Sequence, residues 1–239
     1  RGMATVNFES EEAHSLLRAP SPVIRVEKGD TIEVTLENTH YLPHTIHFHG
    51  VDHPFVGADG KGNDGTPLTS ELPVRAGETR TYTMTPRQTG TMFYHCHVQP
   101  QAHILMGLQG MFVIEENYPD NWVQTLNVGA GRVRAPAAGS RGTFSQEYDL
   151  HYQDIDSSLN DQIQVSSDPR VIAKSTNRQY NISRRMPNYF LLNGRSFPYT
   201  TRESLIVVGQ NERVRLRVLN GGAEEISLHT HGHKVRVTH

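Results

Sequence analysis

Tyr94-His95-Cys96-His97 sets the chain's one cysteine between two histidines, in a segment that reads as a β-strand. Side chains on a strand alternate faces, so the thiol of Cys96 points one way and the imidazoles of His95 and His97 point the other. A soft thiolate on one side and two imidazoles on the other describe two different metal sites joined by a few covalent bonds. An electron accepted at the sulfur has a short through-bond path to the histidines. Taken alone, a His-Cys-His strand is equally compatible with a buried structural cysteine. The remaining histidines change that balance.

The same parity applies to Pro43-His44-Thr45-Ile46-His47-Phe48-His49-Gly50. His47 and His49 share a face, and His44, three residues before His47, falls on the opposite one. If the two strands are neighbours, His44 joins Cys96, while His47 and His49 join His95 and His97. A third ligand on the sulfur side is expected from the loop after Cys96, where His103 stands seven residues on. Two imidazoles, a thiolate and a weak or absent axial partner make a blue-copper electron-transfer site. Four clustered imidazoles with no carboxylate between them suit copper, and zinc less well.

The elements that must position these residues are strands. Val23-Ile24-Arg25-Val26, Thr31 to Leu36 and Thr79 to Met84 alternate or run β-branched, with turn signals such as Lys28-Gly29-Asp30 and Ala76-Gly77-Glu78 between them. No segment longer than about ten residues shows a convincing 3.6-residue period. The pattern predicts an all-β fold, a Greek-key sandwich or barrel. Residues 119–142 turn rich in Gly, Ala and Pro and read as a linker between a first domain over 1–118 and a second over 143–239. The second domain repeats the first at a constant shift of 182: Val23 to Gly50 lies on Leu205 to Gly232, and His47 and His49 fall on His229 and His231. Ile226 takes the place of His44, so the second copy keeps the paired-histidine face and loses the lone-histidine face. The counterpart of the His-Cys-His strand would fall past residue 239, and the second barrel is therefore expected to be incomplete in this chain.

Composition narrows the functional classes. The 239 residues are 36% apolar and carry a net charge of −2 with both signs interspersed, which asks for neither nucleic acid nor an anionic membrane. No apolar stretch approaches a membrane span, and the first residues do not resemble a signal peptide. A single cysteine excludes internal disulfides and leaves the thiol free for metal. Nine of the fourteen histidines fall into clusters at 44–49, 95–103 and 229–233, which scattered surface histidines would not do.

These motifs resemble the multicopper oxidases, and among them the small two-domain, laccase-like enzymes. The resemblance rests on His44-x-x-His47-x-His49-Gly50, on His95-Cys96-His97 with His103-x-x-x-Gly107-Leu108, and on His229-x-His231-Gly232. Leu192-Asn193-Gly194-Arg195 is similar to a segment common in the family's cupredoxin domains. The resemblance implies two cupredoxin-like β-barrels and four coppers per functional unit. His44, Cys96 and His103 would hold type-1 copper, His47 and His229 type-2 copper, and His49, His95, His97 and His231 the binuclear type-3 centre. It further implies oxidation of a small reducing substrate or protein electron donor and reduction of O2, a periplasmic or extracellular location, and a homotrimer with copper clusters at its interfaces.

The chain departs from the family in two places. The loop histidine follows the cysteine by seven residues where five is usual, and the axial position falls on Leu108, with Met106 close enough to compete. The fourth copper motif is not within the sequence. Asp64, in Asp64-Gly65-Thr66-Pro67, and less so Asp52, stand where such enzymes carry a proton-donating acid, although an Asp-Gly pair is also an ordinary turn. His53 and His233 are expected behind the ligands or at the surface, and His14, His40 and His151 in solvent. His239 cannot be read at the end of the sequence.

Three other readings compete. A copper nitrite reductase shares His44, His49, His95 and Cys96 but carries an aspartate in place of His47 and no histidine after the cysteine. A copper-binding electron carrier explains the thiolate site and leaves the paired histidines without a purpose. Structural zinc prefers closed, cysteine-rich sets of four.

Overall fold

The computed structural model describes residues 20–57, 59–117 and 144–238. The linker expected over 119–142, together with His14 and His239, lies outside the described residues.

The first unit is built from β1 (Ile24–Glu27), β2 (Ile32–Glu37), β3 (His47–Phe48), β4 (Val51–Asp52), β5 (Thr79–Pro86), β6 (Gly90–His95), a single helical turn α1 (Pro100–His103), and β7 (Gln109–Glu115). One sheet runs β1-β7-β6-β3 and the other β2-β5-β4. β1 pairs with β7 in parallel; the other ladders of this unit are antiparallel. The period-2 pattern explains the sandwich: along β5, Tyr82 and Met84 are fully buried while the threonines between them face outward or lie half-covered. Tyr82 and Met84 meet Val26, Phe48, Tyr94, Phe112 and Ile114 of the facing sheet, and this contact is the core. At about 1.5–3 kcal/mol for each large side chain buried, it is the main source of stability for the scaffold beneath the histidines.

The second unit holds β8 (Gln146–Ile155), α2 (Ser157–Gln164), α3 (Pro169–Arg178), a 3₁₀ turn at Ile182–Arg184, β9 (Tyr189–Leu192), α4 (Thr200–Glu203) and β10 (Val214–Asn220). Its sheet is ordered β10-β8-β9, with β10 parallel to β8. Leu192-Asn193-Gly194-Arg195 forms a tight turn in which Asn193 and Gly194 both take positive φ, 51° and 77°. The buried Asn193 amide donates to Asp149 O, and its Oδ1 accepts the His151 N–H. The described residues thus form mainly strands, as expected, and the helices α2 and α3 are no longer than the ten residues above which no helical period was found. Each is short and mostly polar, so each offers only two or three buried positions: Leu159 and Ile163, then Ile172, Ser175 and Thr176. Capping determines their starts, with Asp156 accepting from Ser158 N, and Asp168 from Arg170 N just before Pro169.

The internal repeat is visible in the backbone, since β10 falls on β2 at the shift of 182. The counterparts of β1 and β3, residues 206–209 and 229–230, are not strands. In the first unit β1 pairs with β7 and β3 with β6, and the second-copy equivalents of β6 and β7 would fall past residue 239. Without partner strands these segments have no ladder to join. Val207, Leu228, Val235 and Val237 are exposed.

The two units meet through apolar and ionic contacts. Leu219 of β10 packs on Val23, Met111 and Val113. Arg25, fully buried on β1, donates to Glu147 Oε1 at 2.8 Å and to both oxygens of Asp149 at 2.7 and 2.6 Å. Arg217 Nε donates to Glu147 Oε1 at 2.6 Å. Burial raises the Glu147 carboxyl, but Arg217 and Arg25 outweigh it and hold the group below its usual range. For Asp149 the burial wins over Arg25, and the carboxyl sits above its usual range.

Candidate metal centre

β3 and β6 are neighbours, as the parity argument requires: His47 pairs with His95 and Phe48 with Tyr94, and the His49 N–H continues the ladder to Phe93 O at 3.0 Å. β6 ends at His95, yet the alternation persists two residues further. Cys96 turns inward to one side, and His95 and His97 turn to the other with ring centroids 5.4 Å apart.

On the inward side, Cys96 Sγ lies 3.5 Å from His44 Nδ1 and 3.3 Å from His103 Nδ1, with all three residues buried. With metal bonds of ~2.0 Å to imidazole and ~2.3 Å to thiolate, angles of about 100–110° at a shared ion span ~3.3–3.5 Å, so both sulfur–nitrogen separations suit one shared metal. The two extra residues in the loop are absorbed by α1: Gln99 takes a positive φ of 44°, Pro100 starts the turn, and His103 is returned to the sulfur. Burial pushes the Cys96 thiol up. It also pulls the imidazoles down, His44 to about 3 with help from the neighbouring His103 and His40, and His103 to about 4. The histidines are therefore neutral and ready to ligate, and a metal would displace the thiol proton on binding. Met106 and Leu108 both line a cavity of about 570 Å³ beside these donors, where Met106 also packs against Leu42, Ile163 and Ile172.

On the outward side four rings converge. His47 has its centroid 5.0 Å from His49, 5.4 Å from His95 and 5.4 Å from His97, and His49 Nε2 lies 3.2 Å from His95 Nε2. The backbone sets the tautomers. His47 Nδ1 donates to Asp64 O at 2.6 Å and His95 Nδ1 to Cys96 O at 3.0 Å, which leaves both Nε2 atoms free for metal. Gly65 permits the first of these contacts: a Cβ there would stand 2.1 Å from Ile46 O. Burial lowers His95 to about 4, and it lowers His49 together with the neighbouring His47 and His97. The face is half open, with His49 exposed.

Asp64 reaches the same face, its Oδ1 3.4 Å from His47 Nδ1 and 3.8 Å from His53 Nε2, and its Oδ2 accepts the Thr66 hydroxyl at 2.7 Å. Asp52 does not; it is exposed and pairs with Arg87 at 3.2 Å. His229 and His231 contact each other at 4.6 Å between centroids, are exposed, and belong to none of the three donor groups among the described residues. Of the histidines expected in solvent, His151 is placed otherwise and His40 has a contact that was not foreseen. His151 is buried, with Nε2 3.2 Å from Gln109 Oε1, because β8 is covered on both faces. His40 is exposed as expected, but its Nδ1 is 3.0 Å from His44 Nε2. The four-residue spacing from His40 to His44 was its one signal in the sequence.

A family profile described as multicopper oxidase matches residues 17–118. Over 119 residues the chain is 34% identical to the iron transport multicopper oxidase FET3 of Candida glabrata, a stretch that covers 47% of this chain and 18% of that protein. It is 35% identical over 99 residues to a copper-containing nitrite reductase of Neisseria meningitidis, covering 40% of this chain and 23% of the relative. Among solved structures, the blue copper oxidase from Nitrosomonas europaea is 25% identical with a TM-score of 0.58, over 85% of this chain and 52% of that one. The chain thus spans about a fifth of the curated relatives' length and about half of the solved structure. Residues 17–118 thus match the multicopper oxidase profile, and the chain is similar in sequence and fold to parts of proteins of that family.

Proposed function

We propose that this chain is part of a laccase-like oxidase in which His44, Cys96 and His103 hold type-1 copper and His47, His49, His95 and His97 contribute to a trinuclear cluster. The single observation that carries the reading is the pair of donor sets of opposite chemistry, a thiolate with two buried imidazoles and a four-imidazole face, placed back to back across His95-Cys96-His97. Copper bound there supplies one-electron chemistry toward a reducing substrate or protein donor and the four-electron reduction of O2 to water. Residues of the chain do the rest. The Asp64 and Cys96 carbonyls orient His47 and His95, burial lowers the pKa of His95 and His49, and the Asp64 carboxyl group stands beside His47 as the proton donor to reduced oxygen. The alternative of a nitrite reductase is disfavoured by His47 and His97, which a site needing one imidazole from each strand leaves without a role.

His229 would complete the type-2 pair with His47, and His231 the type-3 set. Both are exposed and removed from the first-unit donor groups, while the first-unit face is half open. This supports ligation between subunits, and a head-to-tail ring of three closes such an interface. By resemblance alone, the location is periplasmic or extracellular.

Optical and electron-spin resonance spectra of the full-length, copper-loaded protein test the reading. Type-1, type-2 and type-3 signals are expected together. Cys96→Ser should abolish the intense blue band and turnover while the paired histidines retain copper. Blue colour surviving in that variant refutes the thiolate assignment, and a stable, active monomer in sedimentation refutes the trimer.

A further inference from the structure

The turn before the first histidine strand brings another residue against the thiolate site. Asn38 is buried; its amide donates to Leu42 O at 2.8 Å and Val74 O at 2.9 Å, and its Oδ1 accepts the His40 N–H at 2.9 Å. Those bonds fix the turn and place the His40 ring edge to edge with His44, centroids 5.2 Å apart and planes within 26°. Tyr41 lies 4.2 Å from the His40 ring on its other flank, with its hydroxyl donating to Ile163 O of α2 at 3.3 Å. His44, Cys96 and His103 are only 9%, 5% and 4% exposed. A donor in solvent therefore meets little of the ligands themselves, whereas His40 is an exposed ring in hydrogen-bond contact with one of them.

We propose that His40 is a positioning residue and the electron-entry port of the thiolate site, an inference that rests on the oxidase reading above. Its Nδ1 accepts the Nε2–H of His44, which fixes the tautomer that leaves His44 Nδ1 facing Cys96. Its exposed ring is the path by which an external donor's electron reaches His44. The step moves one electron and no atom. With copper bound there, the donor would be oxidised by one electron, copper(II) would be reduced to copper(I), and the shared proton would stay on His44. A ligating imidazole that gives its other N–H to an acceptor is a more basic ligand, so the contact also stabilises the oxidised site.

Three variants of the full-length, copper-loaded protein separate the two roles. His40→Phe keeps a ring and loses the acceptor, His40→Gln keeps an acceptor and loses the ring, and His40→Leu loses both. The potential is read by redox titration of the blue band, and entry by the stopped-flow rate of anaerobic reduction with ferrocyanide. The potential should shift upward in His40→Phe and His40→Leu and stay near wild type in His40→Gln. The reduction rate should fall about tenfold in His40→Leu, the lower end of the effects seen for groups behind metal ligands, although the driving force has grown. An unmoved potential in His40→Phe overturns the positioning role. A rate in His40→Leu that is unchanged or follows the driving force upward overturns the entry role. A blue wild type with unmoved variants defeats this proposal alone, whereas a copper-loaded wild type with no blue band defeats the oxidase reading and this proposal with it.

Discussion

Replacing Arg25 by Met should destabilise the protein more than any single change at its surface. The side chain is fully buried and donates hydrogen bonds to Glu147 and Asp149, with Glu115 a third carboxylate at 3.8 Å, but they depend on it unequally. Glu147 keeps Arg217 at 2.6 Å and Arg215 at 3.6 Å when Arg25 is removed. Asp149, held by Arg25 through both oxygens, is left as a buried carboxylate already strained toward its neutral form. Breaking such a pair from one side costs about 3–5 kcal/mol, a large share of the roughly 5–15 kcal/mol that holds a domain together. Removing the stranded charge as well should return most of it, because a neutral replacement of both partners is close to neutral in free energy. Urea unfolding followed by far-ultraviolet circular dichroism, on the wild type, Arg25→Met, Asp149→Asn and the double variant, gives the cycle. A coupling of about 2–3 kcal/mol is expected, and it should persist at about 1 M salt because buried charges are poorly screened. A loss under about 1 kcal/mol in Arg25→Met, or no recovery in the double variant, refutes the assignment of that cost to Asp149.

Three further outcomes follow from the site. If His44, Cys96 and His103 hold copper as proposed, Leu108→Met should lower its potential by offering a thioether beside them; an unchanged potential would identify Met106 as the residue already in that place. Asp64→Asn should leave the blue band and its reduction intact while slowing reoxidation by O2 about 10²–10⁴-fold, the usual range for a lost proton donor, and equal stopped-flow reoxidation traces would remove Asp64 from that role. His151 has its pKa lowered by burial from 6.5 to about 4, so its neutral form supports the fold fully above about pH 6.5, and that support is lost as pH falls toward 4, by about 3 kcal/mol in all. Urea midpoints of the copper-free wild type should therefore fall more steeply over this window than those of His151→Gln, and parallel profiles would contradict the assignment.

The donor sets were legible because both depend on local parity. His44 against His47 and His49, and Cys96 against His95 and His97, are sorted to opposite faces by strand geometry alone, and β3 does pair with β6 in the register that unites them. β2 was legible for the same reason, apolar residues at period 2, and β10 through the repeat that lays it on β2. What escaped depends on partners distant in sequence. His151 is buried because β8 is sandwiched, and nothing in its neighbours announces that. His40 touches His44 only because Asn38 ties the turn to Leu42 and Val74. The helices α2 and α3 left caps in the sequence, but too few apolar positions for their period to stand out.

The end of β6 divides the chain into two stretches with unlike tolerance for changes in length. One residue inserted or deleted between Phe93 and Cys96 would invert the parity of everything after it, presenting the thiol to the imidazole face and a histidine to the inward side. Both sites would be lost in one event. Just beyond Cys96 the rule is relaxed, since the turn from Gln99 through His103 has already accommodated two residues more than the family's usual spacing and still returns His103 to within 3.3 Å of the sulfur. Divergence among such domains is therefore free to accumulate as loop length on the downstream side of the cysteine, where the surroundings of the thiolate site can be reshaped, while the upstream spacing is held by the geometry of a strand.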